Sequence, residues 1–376
     1  MKLLTKNLQV KTLVITGLLA FSCTKIEKEE KIVEVEVEKQ VVKEITPITF
    51  ATLTASQVQE SGNEMFTEAD NEAVNGQVIL YNDDLRAFRI NEMLEVRALA
   101  GGTYRVRNFL PHTFTNVEIQ MTIEGVNSPI KVAHFESFPP LYEYVGDLPF
   151  ADGETFLQTI EGNKISVENI KNLPTSNFKF TLVSDDPMFA KLKTIKLNTF
   201  YCFRPYEKDN KWDKVTNVDA RNYLPLALNL AYVFSSDEFE NAVLNAPYDF
   251  QDNGRTLDKA DIVRRFRNVP RQNLGIVVKY GILGLGGGDT FGIRREYLGN
   301  PNNNFYKQLE PLRAISSPLD TWVHEFSHVA GYGHNGNMTY YRPANLHGIV
   351  PLTMKIYQQM LKDKQLPFSE YPYTQK

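Results

Sequence analysis

The stretch from His324 to His334 reads HEFSHVAGYGH and decides the fold of this chain. On an α-helix, His324 and His328 stand one turn apart and about 40° from each other around the axis, so both imidazoles reach one metal ion. Glu325 points roughly 100° further round, where it touches a water on that metal without being an easy ligand. Gly331 ends the helix because it tolerates a left-handed turn, and the chain then returns His334 as a third ligand. Three nitrogen ligands leave one zinc position open, which is typical of a catalytic site.

The residues around this stretch predict how its helix begins and packs. Ser317 has the position of an N-cap, Pro318 that of the first helical residue and Asp320 that of N3, which is similar to a capping box. The apolar residues fall on the side opposite the histidines, and that side is expected to face a core. These residues are Leu319, Trp322, Phe326, Val329 and Ala330.

The spacing HExxHxxGxxH is the zinc signature of the metzincin metallopeptidases, and the chain resembles this family at every fixed position of the signature. Chance gives such a match in on the order of one in 10⁵ chains of this composition. The alternative is a core helix whose histidines only form hydrogen bonds. The resemblance implies that His324, His328 and His334 bind zinc and that Glu325 is the general base. The expected domain architecture covers roughly the last 170 residues, whereas the motifs that carry the resemblance cover only about 20.

Metzincins also carry a methionine beneath the zinc, the Met-turn, often followed two residues later by a tyrosine. Met338 and Tyr340, in the stretch NMTY at 337–340, have this form. By the resemblance, Tyr340 adds a hydrogen bond to the oxyanion, with Tyr341 as its rival. Met338 follows His334 more closely than in most of the family. Met354 is the alternative, although no tyrosine stands two places after it.

The N-terminus has the pattern of a targeting segment. Three lysines precede an apolar run at 12–22 that is too short to span a bilayer. Ser22 directly before Cys23 resembles a bacterial lipobox, in which Cys23 is lipidated and begins the mature protein, although Phe21 departs from that pattern. We therefore expect a lipoprotein signal peptide at 1–22, with an ordinary secretory signal as the alternative.

Residues 23–47 are charged and of low complexity, which indicates a tether that holds the protein off the membrane. The charged residues after Cys23 are also similar to a surface-export signal of Gram-negative lipoproteins. We expect an outer membrane lipoprotein, attached through its N-terminal lipid and displayed at the cell surface. If Cys23 carries the lipid, the only other cysteine, Cys202, has no partner for a disulfide within the chain. Cys202 is expected to be a small buried hydrophobe, with a thiolate on the zinc as the alternative.

The composition is that of an ordinary globular protein, and 376 residues favour two domains over one. The formal net charge of −4 lacks the positive excess that is typical of nucleic-acid-binding proteins, so no nucleic-acid partner is expected. Residues 48–200 contain alternating apolar and polar stretches separated by glycine turns, which predict an antiparallel, sandwich-like β domain. Its clearest strands are expected at 93–99, 103–107 and 117–123. His112 and His134, both in this domain, are expected to be surface or core residues and not ligands.

Residues 201–376 are predicted to form a compact metzincin-like catalytic domain, with a twisted sheet and the active-site helix. The whole chain is thus expected to combine α+β and α/β features. The predicted elements are helices over 235–245 and 256–267, strands over 275–280 and 291–297, and a C-terminal helix over 351–362. The glycine-rich stretch 284–289 lacks the Gly-Lys-Ser/Thr of a phosphate loop and is expected to be a flexible turn.

Together these patterns predict a zinc-dependent endopeptidase that acts on extracellular proteins. Zinc lowers the pKa of its bound water to about 7, and Glu325 moves the proton from that water to the leaving amine. The protein or peptide substrate is expected to lie extended along the edge strand of the sheet. One alternative is a surface lipoprotein that binds a host or glycan ligand and keeps an inactive zinc domain. Another is a zinc hydrolase that acts on a non-peptide amide.

Overall fold

The computed structural model describes residues 47, 50, 52–148, 150, 152–205, 210–298, 318–340 and 347–369. The predictions for the signal peptide, for Cys23, for the tether up to residue 46, for Ser317 and for Tyr341 lie outside the described residues. The described part is a mixed α and β structure with eight α-helices and strands in several sheets. None of its helices has the length and apolar character needed to cross a membrane.

Short strands dominate the chain before residue 200. They are β1 (Thr52–Leu53), β2 (Asn63–Glu64), β3 (Ala73–Val74), β4 (Gln77–Val78), β5 (Phe88–Arg89), β6 (Leu94–Leu99), β7 (Thr103–Asn108), β8 (Phe114–Ile123), β9 (Ile130–Phe138), β10 (Tyr142–Asp147), β11 (Glu154–Gln158), β12 (Lys164–Glu168) and β13 (Phe178–Val183). The three strands predicted from alternating residues are confirmed as β6, β7 and β8.

Two four-stranded sheets organise the described strands of this region, in the orders β1-β9-β8-β13 and β2-β10-β7-β6. Neighbouring strands are antiparallel, except that β1 runs parallel to β9. Aromatic rings join the sheets: Tyr104 on β7 lies 6.3 Å from Phe180 on β13, and Phe135 on β9 lies 5.4 Å from Tyr144 on β10. The core of this region is therefore the layer between the two sheets.

The remaining elements are the strands from residue 200 onward and the helices of the whole described chain. The further strands are β14 (Phe200–Phe203), β15 (Trp212–Asp213), β16 (Gln251–Asp252), β17 (Arg255–Thr256), β18 (Arg271–Val277), β19 (Gly284–Gly287) and β20 (Thr290–Arg294). The α-helices are α1 (Ala55–Ser61), α2 (Asp83–Arg86), α3 (Pro187–Lys193), α4 (Asn217–Ser235), α5 (Asp237–Leu244), α6 (Lys259–Arg267), α7 (Pro318–Val329) and α8 (Ile349–Lys362). Short 3₁₀ helices occupy Glu68–Asn71, Ile79–Tyr81, Ile170–Asn172, Thr175–Asn177 and Arg295–Tyr297.

A six-stranded sheet positions the signature helix α7. In the described residues its order is β19-β20-β18-β14-β5, with β15 pairing beside β18. Strands β14, β18 and β20 are parallel, whereas the outer strands β5 and β19 are antiparallel to their neighbours. Because β5 precedes residue 200, the core runs across the predicted boundary. The domain limits 48–200 and 201–376 stay a prediction.

Several predicted elements differ from the structure. The stretch 284–289 is not a flexible turn throughout, because Gly284–Gly287 pairs with β20 as the edge strand β19. The strand expected over 291–297 ends at Arg294, where a 3₁₀ helix begins. Helix α6 begins at Lys259 and not at Thr256, which belongs to β17. Helix α4 was not predicted. Its buried residues lie on every side of the helix, so the sequence lacks the alternation of apolar and polar faces that marks an amphipathic helix.

The apolar side of α7 packs as the sequence predicts. Leu319, Trp322 and Phe326 are almost fully buried. The ring of Trp322 lies 4.6 Å from Phe291 on β20 and 5.5 Å from Tyr223 on α4. The helix is therefore held between the sheet and α4, with its histidines on the side that remains accessible.

Candidate metal centre

The three histidines predicted as ligands converge on one point. His328 Nε2 lies 3.1 Å from His324 Nε2 and 2.8 Å from His334 Nε2. The rings of His324 and His328 are half-buried on α7, and the ring of His334 is exposed. The cluster is therefore open to solvent on one side. Within the described residues this is the one group of three or more His, Cys, Asp or Glu side chains close enough to hold a metal ion.

Backbone carbonyls fix the tautomers of the two helical histidines. His324 Nδ1 lies 2.8 Å from the carbonyl oxygen of Thr339, and His328 Nδ1 lies 2.7 Å from that of Tyr332. A carbonyl only accepts hydrogen bonds, so both Nδ1 atoms carry hydrogen and both Nε2 atoms present lone pairs to each other. Facing lone pairs at this distance repel unless a cation lies between them. The donor set therefore fits a transition metal ion held by imidazole, with carbonyls orienting the rings.

Burial also favours the neutral, metal-binding form of the two helical histidines, His324 and His328. Burial lowers the pKa of His324 to about 4, the Thr339 carbonyl opposes this shift, and the neighbouring His328 and His334 add to it. Burial likewise lowers the pKa of His328. Neutral imidazoles at physiological pH are ready ligands, because no proton has to leave before the metal binds.

Glu325 lies beside the cluster and is buried, with 6% of its surface exposed. Its Oε1 is 4.0 Å from His324 Nε2, which is beyond hydrogen-bond distance but close enough for one small ligand to contact both atoms. Burial raises the pKa of Glu325 to about 8, and a hydrogen bond from the Gly286 backbone N–H partly opposes this shift. A carboxyl group with a pKa near neutrality is suited to general acid–base chemistry.

Two glycines bring the edge strand β19 against α7. A Cβ atom at Gly284 would lie 2.6 Å from Cγ of Glu325, and one at Gly286 would lie 2.9 Å from its carbonyl carbon. A side chain at either position would push the strand and the helix apart. The close packing of β19 on α7 therefore requires glycine at both Gly284 and Gly286. Sequence reasoning missed this contact, although the spacing of the glycines was the available signal.

The end of α7 confirms the predicted role of Gly331. Its φ of +94° is left-handed, and its N–H donates to the carbonyl oxygen of His328 at 3.0 Å. The N–H of Tyr332 donates to the carbonyl oxygen of Ser327, also at 3.0 Å. These two bonds form a Schellman motif, which turns the chain back toward the histidines.

The β16–β17 hairpin supports the loop that carries His334. Asp252 Oδ1 accepts the Gly333 N–H at 2.9 Å, and the Asn253 N–H donates to the Asn335 carbonyl oxygen at 2.7 Å. A Cβ at Gly336 would lie 2.7 Å from the carbonyl carbon of Gln251, so hairpin and loop are in close contact. Nothing in the sequence indicated this support.

The turn after His334 carries two further predicted residues, and one of them, Tyr340, contacts the histidine rings. Met338 is fully buried and Tyr340 is about half exposed. The Tyr340 ring lies 4.6 Å from the His324 ring and 5.2 Å from the His334 ring. The alternative methionine, Met354, is buried on α8.

The three histidines outside the cluster and Cys202 are not among the residues that line the cleft above the cluster. His347 stacks on Tyr248 at 4.2 Å. Cys202 is buried as expected, and burial raises the pKa of its thiol to about 11. His112 forms a 3.0 Å contact with Asp186, a partner that its sequence neighbours did not reveal. His134 is half-buried on β9.

A cleft of ≈ 400 Å³ opens above the histidines. One wall is the segment from Gly281 to Gly286, and the other is the front of α7 with His334 and Tyr340. Asp320 also lines the cleft, and burial raises its pKa to about 7. The histidine cluster therefore lies in a groove bounded by a strand edge.

Comparisons of the chain with protein-family models, with curated proteins and with solved structures found no match. The chemistry that the site can carry out follows from its own atoms. These are three ring nitrogens for a metal, one buried carboxylate beside them and one tyrosine at the rim.

Proposed function

We propose that this chain is a zinc-dependent endopeptidase of the metzincin type, with zinc held by His324, His328 and His334. The observation that carries the proposal is the convergence of three Nε2 atoms beside the buried carboxylate of Glu325. When bound, zinc supplies Lewis-acid polarisation of a carbonyl oxygen and lowers the pKa of water. Three protein ligands leave a position for substrate, as in other catalytic zinc sites.

Glu325 is the proposed general base. It takes one proton from the attacking water and delivers it to the leaving amine, so the carboxylate is regenerated at the end of each turnover. A nearby cation favours the ionised form, which opposes the effect of burial on this pKa. The Gly286 N–H holds the carboxylate from the strand side. By the resemblance, the Tyr340 hydroxyl donates a hydrogen bond to the oxyanion of the substrate.

The edge strand β19 is the proposed substrate platform. In the described residues β19 pairs with β20 on one side and has no strand on the other. The Glu325 carboxylate accepts the Gly286 N–H, and the rest of the outer edge of β19 suits an extended peptide that adds itself to the sheet. Leu285 is the only residue of β19 with a side chain, so little obstructs such a peptide.

The same proposal extends to the architecture and location of the chain. The two facing four-stranded sheets support a sandwich-like N-terminal domain, and the six-stranded sheet with α7 supports a metzincin-like catalytic domain. Lipid attachment at Cys23 would place both at the outer membrane, where extracellular proteins are the substrates.

Substitution of the base tests the proposed mechanism. Glu325→Gln keeps the size of the side chain while removing the base, so cleavage of a mixed peptide library should fall by at least about 10²-fold. Zinc content should stay unchanged. Glu136→Gln, on an exposed position of β9, is the matched control and should cleave normally. An unchanged cleavage rate in zinc-loaded Glu325→Gln would falsify the mechanism, and a wild-type chain that cleaves no peptide would favour a non-peptide substrate.

A further inference from the structure

A second cleft, of ≈ 550 Å³, shares no lining residue with the metal centre. It lies where β5 and α6 end and where β14 and β18 begin. Three arginines line it, Arg89, Arg267 and Arg271, and no described acidic residue does. We call it the arginine groove. It is positively charged although the whole chain carries a net charge of −4, so the charge is local to this groove.

Two of the arginines are held in place by the protein itself. Arg267 donates to the carbonyl oxygen of Phe234 at 2.9 Å and to the Glu240 carboxylate at 2.6 Å. Arg271 donates to the Asp83 carboxylate at 2.9 Å, and Asp83 also accepts from Arg204. These contacts fix both guanidinium groups and compensate part of their charge from behind the groove.

Arg89 is different, because no carboxylate pairs with it in the described part of the chain. Its one polar contact there is a 3.0 Å hydrogen bond from Nη1 to Asn198 Oδ1. Its guanidinium also lies over the Phe200 ring, 5.6 Å from the centroid, and Arg271 lies over the same ring at 5.3 Å. The Nε and Nη2 donors of Arg89 therefore remain available.

We propose that the arginine groove binds a small organic oxyanion of about the size of a sugar, with its sulfate, phosphate or carboxylate group on Arg89. A guanidinium presents paired donors that match the oxygens of such groups. The Asn198 amide accepts from Arg89 through its oxygen, so its NH₂ group adds a further donor at the rim. The volume exceeds that of an inorganic anion and suits a small organic ligand.

Calorimetric titration of the full chain tests this site without reference to zinc. The probes are glucose 6-phosphate, glucose 6-sulfate and glucuronic acid, with glucose as the neutral control, all at one ionic strength. At least one anionic probe should bind saturably while glucose does not, and the strongest of the three identifies the anionic group. Removal of zinc by a chelator should leave the binding unchanged.

Variants locate the binding. Arg89→Ala should weaken it by about 10-fold or more, as expected for loss of a charge-assisted hydrogen-bonding partner. Asn198→Asp, at an exposed position, should weaken it comparably by placing a carboxylate against Arg89, whereas Asn198→Ala should weaken it less. Arg255→Ala removes an exposed arginine on β17 outside the groove and should change nothing. Absence of saturable binding to the wild-type chain, or an equal loss in Arg255→Ala, would overturn the proposal.

Discussion

Gly286 lies directly against the backbone of Glu325: a Cβ atom on this glycine would stand 2.9 Å from the carbonyl carbon of Glu325 and closer still to its oxygen. The N–H of the same glycine donates to the Glu325 carboxylate. One position therefore sets both the distance between the edge strand β19 and helix α7 and the orientation of the proposed base. Strand and base are coupled, although about forty residues separate them in sequence.

Gly286→Ala should therefore reduce both stability and activity. The added methyl group has no room, and overpacking of this kind costs about 1–3 kcal/mol. Displacement of the strand also moves the N–H that holds Glu325. Glu136→Gln changes an exposed residue of β9, away from the cleft, and is the control. Thermal unfolding and peptide cleavage would be measured together, and a Gly286→Ala variant that matches wild type in both would contradict the close contact.

The parts of the site that depend on local geometry were predictable from the sequence. The ligand spacing on α7 and the left-handed turn at Gly331 follow from helix periodicity and from glycine chemistry, and the structure agrees on both. The strand at Gly284–Gly287 was wrongly predicted as a turn, because its glycines are explained only by a helix distant in sequence. Helix α4 was missed because burial on all sides removes the pattern that marks an amphipathic helix.

His328→Ala should abolish zinc binding, since this ring lies between the other two in the cluster. Metal analysis of the purified wild-type chain is expected to give about one zinc per chain, and the variant close to none. His347→Ala removes a histidine that stacks on Tyr248, and it should keep its zinc. Full occupancy in His328→Ala, or loss in His347→Ala, would mean that other residues bind the metal.

Without metal, Glu325 should make the protein less stable as pH rises. Its folded pKa of about 8 exceeds the ordinary value of 4.5, so the unfolded chain loses this proton first. Between these two values the folded state binds more protons than the unfolded state, and the free energy of unfolding falls with increasing pH. Glu325→Gln cannot ionise, so the metal-free variant should be more stable than wild type at pH 8 and nearly equal to it at pH 4.

Thermal unfolding of chelator-treated protein across this pH range checks the prediction. Glu136→Gln is the control, because an exposed carboxyl group on β9 is not penalised by burial. The difference between Glu325→Gln and wild type should also shrink when zinc is restored, since the cation favours the carboxylate. A difference that does not depend on pH would show that ionisation of Glu325 is not its cause.

Cys23→Ala should release the chain from the membrane or leave it unprocessed. The expected lipid is attached to the sulfur, and alanine has no atom to carry it. Cell fractionation and mass spectrometry of the mature N-terminus provide the measurement. Cys202→Ala removes the other cysteine, which is buried, and should leave the location unchanged. A mature N-terminus at another residue, without lipid, would rule out the lipoprotein assignment.

Asp252 should tune zinc affinity although it touches no metal. Its Oδ1 accepts the Gly333 N–H at 2.9 Å, directly before the proposed ligand His334, which is exposed and carried by a loop. Asp252→Ala removes this anchor, so the third imidazole must be ordered when the metal binds. Zinc affinity should fall by about 10-fold or more, in the range found for groups that support metal ligands.

Asp249→Ala separates this positioning role from a general effect of the hairpin. Asp249 is exposed and close to Asp252 in sequence, and within the described residues its carboxylate makes no hydrogen bond. Its removal should leave zinc affinity unchanged. Competition with a chromophoric chelator gives the affinity, and circular dichroism shows whether each variant is folded. If Asp252→Ala binds zinc as tightly as Asp249→Ala, the loop holds His334 without help from the hairpin carboxylate.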